Sequence, residues 1–388
     1  MDNKPIYTLR HLTFYFLKLG STGFGGPVAL VGYMHKDLVE DRKWISDDEF
    51  KEGLALAQLA PGPLAAQLGI YLGFVHYRLL GATLAGIAFV LPSFIIVVLL
   101  GIAYKLYGGL SWMQAVFYGV GAAVIGIILN SSYKLTIKSI GKFNLQSFRQ
   151  NWLLWLFFIA AATITFITKE EQVLLFIITG LLYMFVKAPP SGIKKSTVNV
   201  FFLFQIGFWD YESSTLMKMG LFFTKAGAFV FGSGLAIIPF LHAGVVTQNH
   251  WLTELQFVDA VAVAMITPGP VVIAVGFIGY LVAGFPGASV AALATFLPCY
   301  LFTVIPAPYF NKISKNRSIK AFVEGITASV IGALVGAVIV IATRSILDIP
   351  TALIALVTIL AILYFKNLQE IYIIIIAAVL GIFIKLIL

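Results

Sequence analysis

The sequence predicts an all-α polytopic membrane protein made of two homologous halves that form an inverted repeat. Three observations predict this fold class. Apolar runs of membrane-spanning length follow one another, charged residues are scarce, and the second half repeats the first at a constant offset. Internal repeats of this kind are typical of secondary transporters, in which the substrate binds at the repeat interface.

Apolar runs cover most of the chain. An α-helix needs roughly 20 apolar residues to cross a bilayer. The runs that reach or approach this length are Gly81–Tyr107, Met113–Tyr133, Trp152–Thr168, Val173–Lys187, Pro286–Pro306, Ala321–Thr343, Thr351–Phe365 and Ile371–Leu388. Each run is predicted to be a helix, because lipid offers no partners to backbone groups and the runs lack the alternation of barrel strands.

Charged residues are too scarce for a soluble protein of this length. They make up 11% of the chain, whereas a soluble domain has roughly 25%. The net charge of +9 lies mainly in short loops, as expected of cytoplasmic loops, and does not predict nucleic-acid binding. The sequence has no P-loop, metal-ligand cluster or catalytic triad, so we expect no cofactor, no metal and no enzymatic activity. The single cysteine, Cys299, is predicted to be a buried, inert thiol.

A repeat with an offset of 207 residues joins the two halves. This shift places rare residue types on one another without a gap: Lys18 on Lys225, His35 on His242, Trp44 on Trp251, Phe50 on Phe257, and Pro61-Gly62-Pro63 on Pro268-Gly269-Pro270. Apolar sequences match by chance, but such residues at one constant offset do not. The predicted halves are residues 1–187 and 216–388, joined by a polar linker at 188–215.

Each half is predicted to contain a helix that is broken inside the membrane. The half-length pieces are Asp48–Ala60 and Leu64–Val75, matched by Glu254–Thr267 and Val271–Ala283, and a Pro-Gly-Pro separates the two pieces of each pair. Proline breaks a helix but fits the first position of the next one. Each triplet therefore leaves a helix N-terminus in the membrane, where its free N–H groups suit an anion. The alternative is a plain proline kink.

The basic loops predict that the second half is inserted upside down. The first half has four basic residues and no acid in Lys134–Arg149, whereas the basic loop of the second half is Asn311–Lys320. This second loop corresponds to Lys105–Ser111 of the first half, so the positive charge has moved by one loop. An odd number of crossings inverts a copy. We therefore expect five spanning helices per half, with the broken pair forming a re-entrant hairpin.

Two lysines and two glycine clusters extend the predicted substrate site. Lys18 and Lys225 fall within apolar runs, where a charge is expensive, and together they would offset a dianion. The alternative is that each side chain snorkels to the membrane interface. The glycine clusters that follow them, with Gly25, Gly26 and Gly232, allow close backbone approach to a ligand. Helix packing through small residues is their alternative role.

Other polar residues give weaker predictions. Glu52 and Asp259 match at the offset and are candidates for carrying a coupled proton, although acids near a helix start are also ordinary dipole partners. His35 and His242 flank the loops beside the first helix of each half, where we expect them at the surface.

These motifs together resemble the chromate ion transporter family in its long, two-domain form. In the first half the matching features are Phe24-Gly25-Gly26-Pro27, Trp44, Phe50, Gln58, Pro61-Gly62-Pro63, Gln67, Gly73, Gly81 and Phe89-Val90-Leu91-Pro92-Ser93-Phe94. The second half carries a weaker version, with Met265 and Ala274 in place of Gln58 and Gln67. Polar recognition by Gln67 is therefore assigned to the first half.

The resemblance implies a transporter in the bacterial inner membrane that exports chromate. The expected substrate-binding residues are Lys18, Gly25, Gly26, Pro61, Gly62, Pro63, Gln67, Lys225, Gly232, Pro268, Gly269 and Pro270. The expected partners are a small oxyanion and the lipid bilayer, without nucleic acid, and a homodimer is left open. Sulfate is the main alternative substrate, since it has nearly the shape and charge of chromate. An intramembrane enzyme and a channel are further alternatives.

Overall fold

The computed structural model describes residues 6–24, 26–108, 110–169, 173–190, 214–230, 234–310, 316–346, 348–365 and 369–387, and within these ranges it contains helices and no strand. The first half contains α1 Leu9–Thr22, α2 Gly26–His35, α3 Asp47–Leu59, α4 Leu64–Tyr107, α5 Ser111–Ser139, α6 Leu145–Gln150, α7 Trp152–Thr168 and α8 Val173–Lys187. The second half contains α9 Thr215–Ala228, α10 Ile238–His242, α11 Glu254–Ile266, α12 Ala274–Val304, α13 Arg317–Ser345, α14 Ile349–Tyr364 and α15 Glu370–Ile387. The predicted helical class is confirmed.

The broken pair of helices is present in both halves. Helix α3 ends at Leu59 and α4 begins at Leu64, directly after the first Pro-Gly-Pro. In the second half α11 ends at Ile266, and a short 3₁₀ turn over Val271–Ile273 leads into α12. Both α3 and α11 begin with a capping box, formed by Ser46 with Glu49 and by Thr253 with Gln256. Identical local chemistry therefore starts the same element twice.

The chain reverses direction inside α4 and inside α12. Arg78 has non-helical angles, with φ 50° and ψ −139°, and Gly284 has φ 64° and ψ −153°. Beyond Arg78 the helix folds back, because the backbones of Gly73 and Gly81 lie against each other although they are eight positions apart. Such contact is impossible along a straight helix, where eight residues extend about 12 Å. Gly279 and Gly287 make the same contact in the second half. The chain therefore reverses between each half-length helix that follows a Pro-Gly-Pro and the long helix that comes next. The predicted re-entrant hairpin is a separate feature, formed by the two half-length helices on either side of each Pro-Gly-Pro.

The segment after the first glycine cluster is helical, which corrects the predicted loop. Helix α1 ends at Thr22, and α2 resumes at Gly26 and continues as π-helical turns over Lys36–Asp41. The second half repeats this arrangement with α10 and π-helical turns over Ala243–Gln248. In the first half the charged residues of Lys36–Asp41 suggest a loop, yet Leu38 among them is buried. In the second half Val245 is buried at the corresponding position. Each half therefore contains two interrupted helices.

The long helices of the two halves are intertwined. Helix α5 of the first half packs against α14 and α15 of the second, while α13 of the second half packs against α7 and α8 of the first. Glycines allow the close approach: Gly119 lies against Ala377 and Gly381, and Gly332 lies against the backbone of Phe158. Small residues at such contacts let helix backbones approach one another in a membrane. Neither half therefore buries its helices alone.

Several helices meet the length and composition of membrane spans. Four stretches qualify, namely Leu64–Tyr107, Ser111–Ser139, Val271–Tyr309 and Arg317–Thr343, and shorter apolar helices occur at Trp152–Thr168, Val173–Lys187 and Ile349–Tyr364. This pattern fits a multi-pass membrane protein. The basic stretch predicted as a loop from Lys134 is helical up to Ser139. Most of the predicted linker, residues 191–213, lies outside the described residues.

Candidate functional site at the repeat interface

The two Pro-Gly-Pro turns hold the halves together through a reciprocal pair of hydrogen bonds. The amide of Gly62 donates to the carbonyl of Val230 at 2.5 Å, and the amide of Gly269 donates to the carbonyl of Gly23 at 2.9 Å. Gly62 matches Gly269, and Gly23 matches Val230, at the same offset of 207. Each half therefore donates the same hydrogen bond to the other half that it accepts from it. Such a reciprocal contact indicates a local two-fold relation between the two turns. The turns therefore lie around a pseudo-two-fold axis.

Glycine is required at the centre of both turns. Gly62 has φ +146° and Gly269 has φ +91°, a backbone region that residues with a Cβ rarely adopt. A Cβ on Gly62 would come within 3.0 Å of Cys299 Sγ, and a Cβ on Gly269 would overlap Ser93 Oγ. Cys299 is fully buried, as predicted. Beyond the Pro-Gly-Pro the offset becomes 206, as for Gly73 and Gly279, and Ser93 then corresponds to Cys299. Each half therefore presses a small side chain onto the turn of the other.

A small cavity lies between the turns and is lined by both halves. Its walls are formed by Pro27, Leu30, Pro63, Ala65, Gly234, Gly269, Pro270 and Val271. Helix α4 starts at this cavity, and so does the 3₁₀ turn over Val271–Ile273 that leads into α12. The first N–H groups of a helix have no partner within the helix, so two sets of free donors lie near one space. Such an arrangement suits an anion.

Gln67 orders the first turn from within. Its side chain is fully buried, and Nε2 donates to the carbonyl of Pro61 at 2.8 Å. Within the described part of the chain, Oε1 has no hydrogen-bond partner. One of the two amide hydrogens is therefore committed to the turn, and the lone acceptor oxygen faces no donor. This geometry favours a positioning role for Gln67 over the direct recognition that was expected.

The structure does not place Lys18 and Lys225 at the cavity, and their role in substrate binding stays a prediction. Both side chains lie on exposed faces of α1 and α9. Neither lysine is among the residues that line the cavity between the turns. Helix period explains the result, because the buried face of α1 is formed by Leu12, Phe16 and Leu19, and position 18 falls on another side. Their exposure favours the alternative, in which each ammonium group snorkels away from the apolar core.

The glycine clusters are only partly visible. Gly25 and Gly232 lie outside the described residues. Gly26 begins α2 with φ +74°, and a Cβ on it would meet no atom within 4 Å. Gly26 is therefore needed for the backbone conformation at the start of α2, where space is open beside it. Its neighbour Pro27 lines the cavity.

The two matched carboxylates have different surroundings. Asp259 is only 2% exposed, and its Oδ2 accepts a hydrogen bond from the hydroxyl of Tyr104 at 2.6 Å. Glu52 is half-buried on α3. The sequence did not distinguish the two acids, and the structure buries Asp259 much more deeply than Glu52. Sequence reasoning missed Tyr104 entirely, because no spacing connects position 104 in the first half with position 259 in the second.

The two matched histidines pair with acids at the starts of α3 and α11. His35 Nε2 lies 3.3 Å from Asp47 Oδ1, and His242 Nε2 lies 2.7 Å from Glu254 Oε2. Each imidazole also meets the edge of a phenylalanine ring, Phe50 or Phe257. His242 is buried, so the expected surface position is wrong for this copy. Lys51 and His35 hold the pKa of the Asp47 carboxyl below its usual range. These pairs join the ends of α2 and α10 to the starts of α3 and α11.

Comparison with known proteins gives consistent matches over nearly the whole chain. The family profile described as chromate transporter matches residues 10–185 and 217–382. A chromate transport protein of Cupriavidus metallidurans is 62% identical over 97% of this chain and 93% of its own length. A probable chromate transport protein of Synechococcus elongatus is 57% identical, covering 97% of this chain and 96% of the relative. A chromate transport protein of Pseudomonas aeruginosa is 30% identical over 83% of this chain and 78% of the relative. No solved structure matches the chain significantly.

Proposed function

This chain belongs to the chromate transporter family, and we propose that it is a secondary transporter that exports chromate from the bacterial cytoplasm through the inner membrane. The observation that carries the proposal is the reciprocal pair of hydrogen bonds between the Pro-Gly-Pro turns. These bonds bring two helix starts to one cavity between the halves. Repeat interfaces with broken helices are where secondary transporters bind their substrates.

Chromate binds, in this proposal, in the cavity between the turns. Each helix N-terminus carries the equivalent of roughly half an elementary positive charge. Two N-termini around one cavity therefore offset about half of the charge of a dianion, and the free backbone N–H groups donate hydrogen bonds to its oxygens. The backbone of Pro61-Gly62-Pro63 and Pro268-Gly269-Pro270 shapes the site, and Gln67 keeps the first turn in place.

The membrane potential supplies the driving force for export. A dianion that leaves an inside-negative cell gains about 4.6 kcal/mol per 100 mV, at roughly 2.3 kcal/mol for each charge. This gain suffices for outward transport against a concentration gradient of more than a thousandfold at 100 mV, since about 1.4 kcal/mol corresponds to a factor of ten.

Alternating access follows from the proposed inversion of the repeat. The displaced basic loop supports an inverted second half. If the pseudo-two-fold axis lies in the membrane plane, rocking one interrupted helix pair against the other opens the cavity to each side in turn. The intertwined packing of α5 and α13 supplies a frame around which the broken helices move.

The proposal is tested by chromate uptake into inverted membrane vesicles. Vesicles that contain the chain are expected to take up labelled chromate when the potential is lumen-positive, and collapse of the potential with an ionophore is expected to abolish most of this uptake. Vesicles without the chain are the control. Absence of potential-sensitive uptake in vesicles that contain the folded chain would contradict the proposed function.

Sulfate is the alternative substrate, and the same vesicles distinguish the two anions. Chromate and sulfate are both tetrahedral dianions, so helix N-termini alone do not separate them. If chromate is the substrate, a tenfold excess of sulfate is expected to leave most chromate uptake intact. Equal competition by sulfate would assign the chain to general dianion transport.

In the proposed function, Lys18 and Lys225 attract the chromate dianion from a distance and do not contact it. Because Lys18 and Lys225 are exposed, we expect Lys18→Gln or Lys225→Gln to raise the chromate concentration for half-maximal uptake only a few-fold, about 1 kcal/mol or less. The effect is expected to shrink as ionic strength rises, because salt screens exposed charges. Uptake assays at low and high salt measure both quantities. A loss above tenfold at every salt concentration would instead make either lysine a direct ligand.

A further inference from the structure

Asp259 and Tyr104 form a buried contact between the two halves. Asp259 lies on the half-length helix α11 of the second half, and Tyr104 lies near the end of α4 in the first. The tyrosine ring is held in place by edge contacts with Phe117 and Phe277. Its hydroxyl donates to Asp259 Oδ2 at 2.6 Å, while Oδ1 is buried without a hydrogen-bond partner in the described residues.

No cation neutralises this carboxyl in the described part of the chain. Helix α11 packs against α4, α5, α12, α13 and α15 and against the turns Ala243–Gln248 and Val271–Ile273. Among the described residues of these elements, Tyr104 forms a side-chain hydrogen bond with Asp259. No lysine, arginine or histidine forms an ion pair with it among the described residues. A buried carboxylate without a cation is costly, so a carboxyl in these surroundings favours its neutral, protonated form.

The corresponding site in the first half is built differently. Glu52 occupies the position of Asp259 but is half-buried. The position that corresponds to Tyr104, counted from the matched glycines Gly73 and Gly279, is Phe310, which has no hydroxyl to donate. Glu52 interacts instead with the hydroxyl of Tyr71, on α4 of its own half. Of the two matched acids, Asp259 is the one that is buried and is contacted by a tyrosine of the other half. An asymmetric buried acid in a membrane transporter is a candidate for function rather than for packing.

We propose that Asp259 takes up one proton from the outer side and releases it to the cytoplasm in each transport cycle, in exchange for exported chromate. The inference rests on the proposed function. Tyr104 holds the protonated carboxyl while α4 and α11 are in contact, and it is a positioning residue. When the halves separate, water reaches Asp259 and the carboxyl ionises. The proton moves into the cell because the cellular proton gradient is directed inward. Exchange for a proton therefore adds to the driving force for chromate export.

The test uses inverted vesicles with the potential clamped to zero and an imposed pH gradient. An acidic lumen is expected to raise the steady-state accumulation of chromate about tenfold per pH unit for one exchanged proton.

The Asp259→Asn variant is expected to lose this response but to retain uptake driven by a lumen-positive potential. Tyr104→Phe is expected to shift the pH at which uptake is half-maximal. Glu52→Gln, at the matched position of the first half, is the control and is expected to respond as the wild type does.

The outcomes separate this inference from the proposed function. A wild type that takes up chromate with the potential but does not respond to the pH gradient overturns the inference alone. An unchanged pH response in Asp259→Asn also overturns it. A wild type without any chromate uptake refutes the proposed function itself. If Asp259→Asn fails to fold, the inference is tested by the other two measurements. A wild-type response to the pH gradient together with a shifted pH profile in Tyr104→Phe supports it, and the absence of either overturns it.

Discussion

Replacing Gly269 by alanine is expected to abolish chromate uptake and to lower the free energy of unfolding by about 2–4 kcal/mol. The residue sits at φ +91°, where a Cβ is strained, and the added Cβ overlaps Ser93 Oγ of the other half. The backbone must shift to relieve the overlap. That shift pulls the Gly269 amide away from the carbonyl of Gly23 and moves the helix start that lines the cavity.

Denaturant unfolding of the purified protein in detergent, together with vesicle uptake, measures both effects. Gly32→Ala is the matched control, because Gly32 lies in α2 with no atom within 4 Å of the added Cβ. The double variant Ser93→Gly with Gly269→Ala removes the overlap but keeps the backbone strain, so it is expected to recover part of the lost stability. Wild-type uptake and stability in Gly269→Ala would show that the turn is not the site described above.

Replacing Ala65 by aspartate is expected to reduce chromate uptake by more than a hundredfold. Ala65 lies in the first turn of α4 and lines the cavity. A carboxylate there faces the bound dianion, and two unit charges about 4 Å apart repel by roughly 4 kcal/mol at an effective dielectric constant of 20. An acid in the first turn favours the helix itself through the dipole. The predicted loss therefore concerns the substrate more than the helix.

Two variants isolate the charge from other effects. Ala65→Asn has nearly the same shape without the charge and is expected to retain much more uptake than Ala65→Asp. Ser111→Asp places an acid at the exposed start of α5, away from the cavity, and is expected to transport normally. Circular dichroism and chromatographic behaviour in detergent check that each variant is folded. Equal uptake by the aspartate and asparagine variants would place the dianion elsewhere.

The helical elements were largely predictable because their signals are local. The predicted half-helix Asp48–Ala60 is observed as Asp47–Leu59, and Glu254–Thr267 as Glu254–Ile266. Pro-Gly-Pro ends and restarts a helix through steric limits that act within a few residues. The helical α2 was missed because it follows a glycine cluster and leads into the charged segment Lys36–Asp41, which resembles a loop. Only packing against the rest of the half stabilises so short a helix.

The side-chain environment was less predictable, because the hydropathy of a segment does not show which way each side chain points. An apolar run states that a helix lies in a membrane but not which of its sides faces lipid, protein or a cavity. Lys18 was therefore assigned to the substrate site and lies on the exposed face of α1, while His242 was assigned to the surface and is buried. Asp259 and Glu52 match in sequence, yet only tertiary packing distinguishes the buried acid from the half-exposed one.

The sequence by itself determined the membrane class, the duplication, the breaks in the helices and the family. These conclusions depend on the composition, on the constant spacing between matched residues and on the local effect of proline, all of which can be read without knowing how the chain folds. The tertiary structure alone decided how the halves meet. It showed that each Pro-Gly-Pro bonds to the interrupted helix of the other half, that α5 and α13 are exchanged between halves, and that Tyr104 reaches Asp259. These contacts join residues far apart in sequence. Their partners are selected by shape and hydrogen-bond complementarity between surfaces, which exist only after the helices have formed.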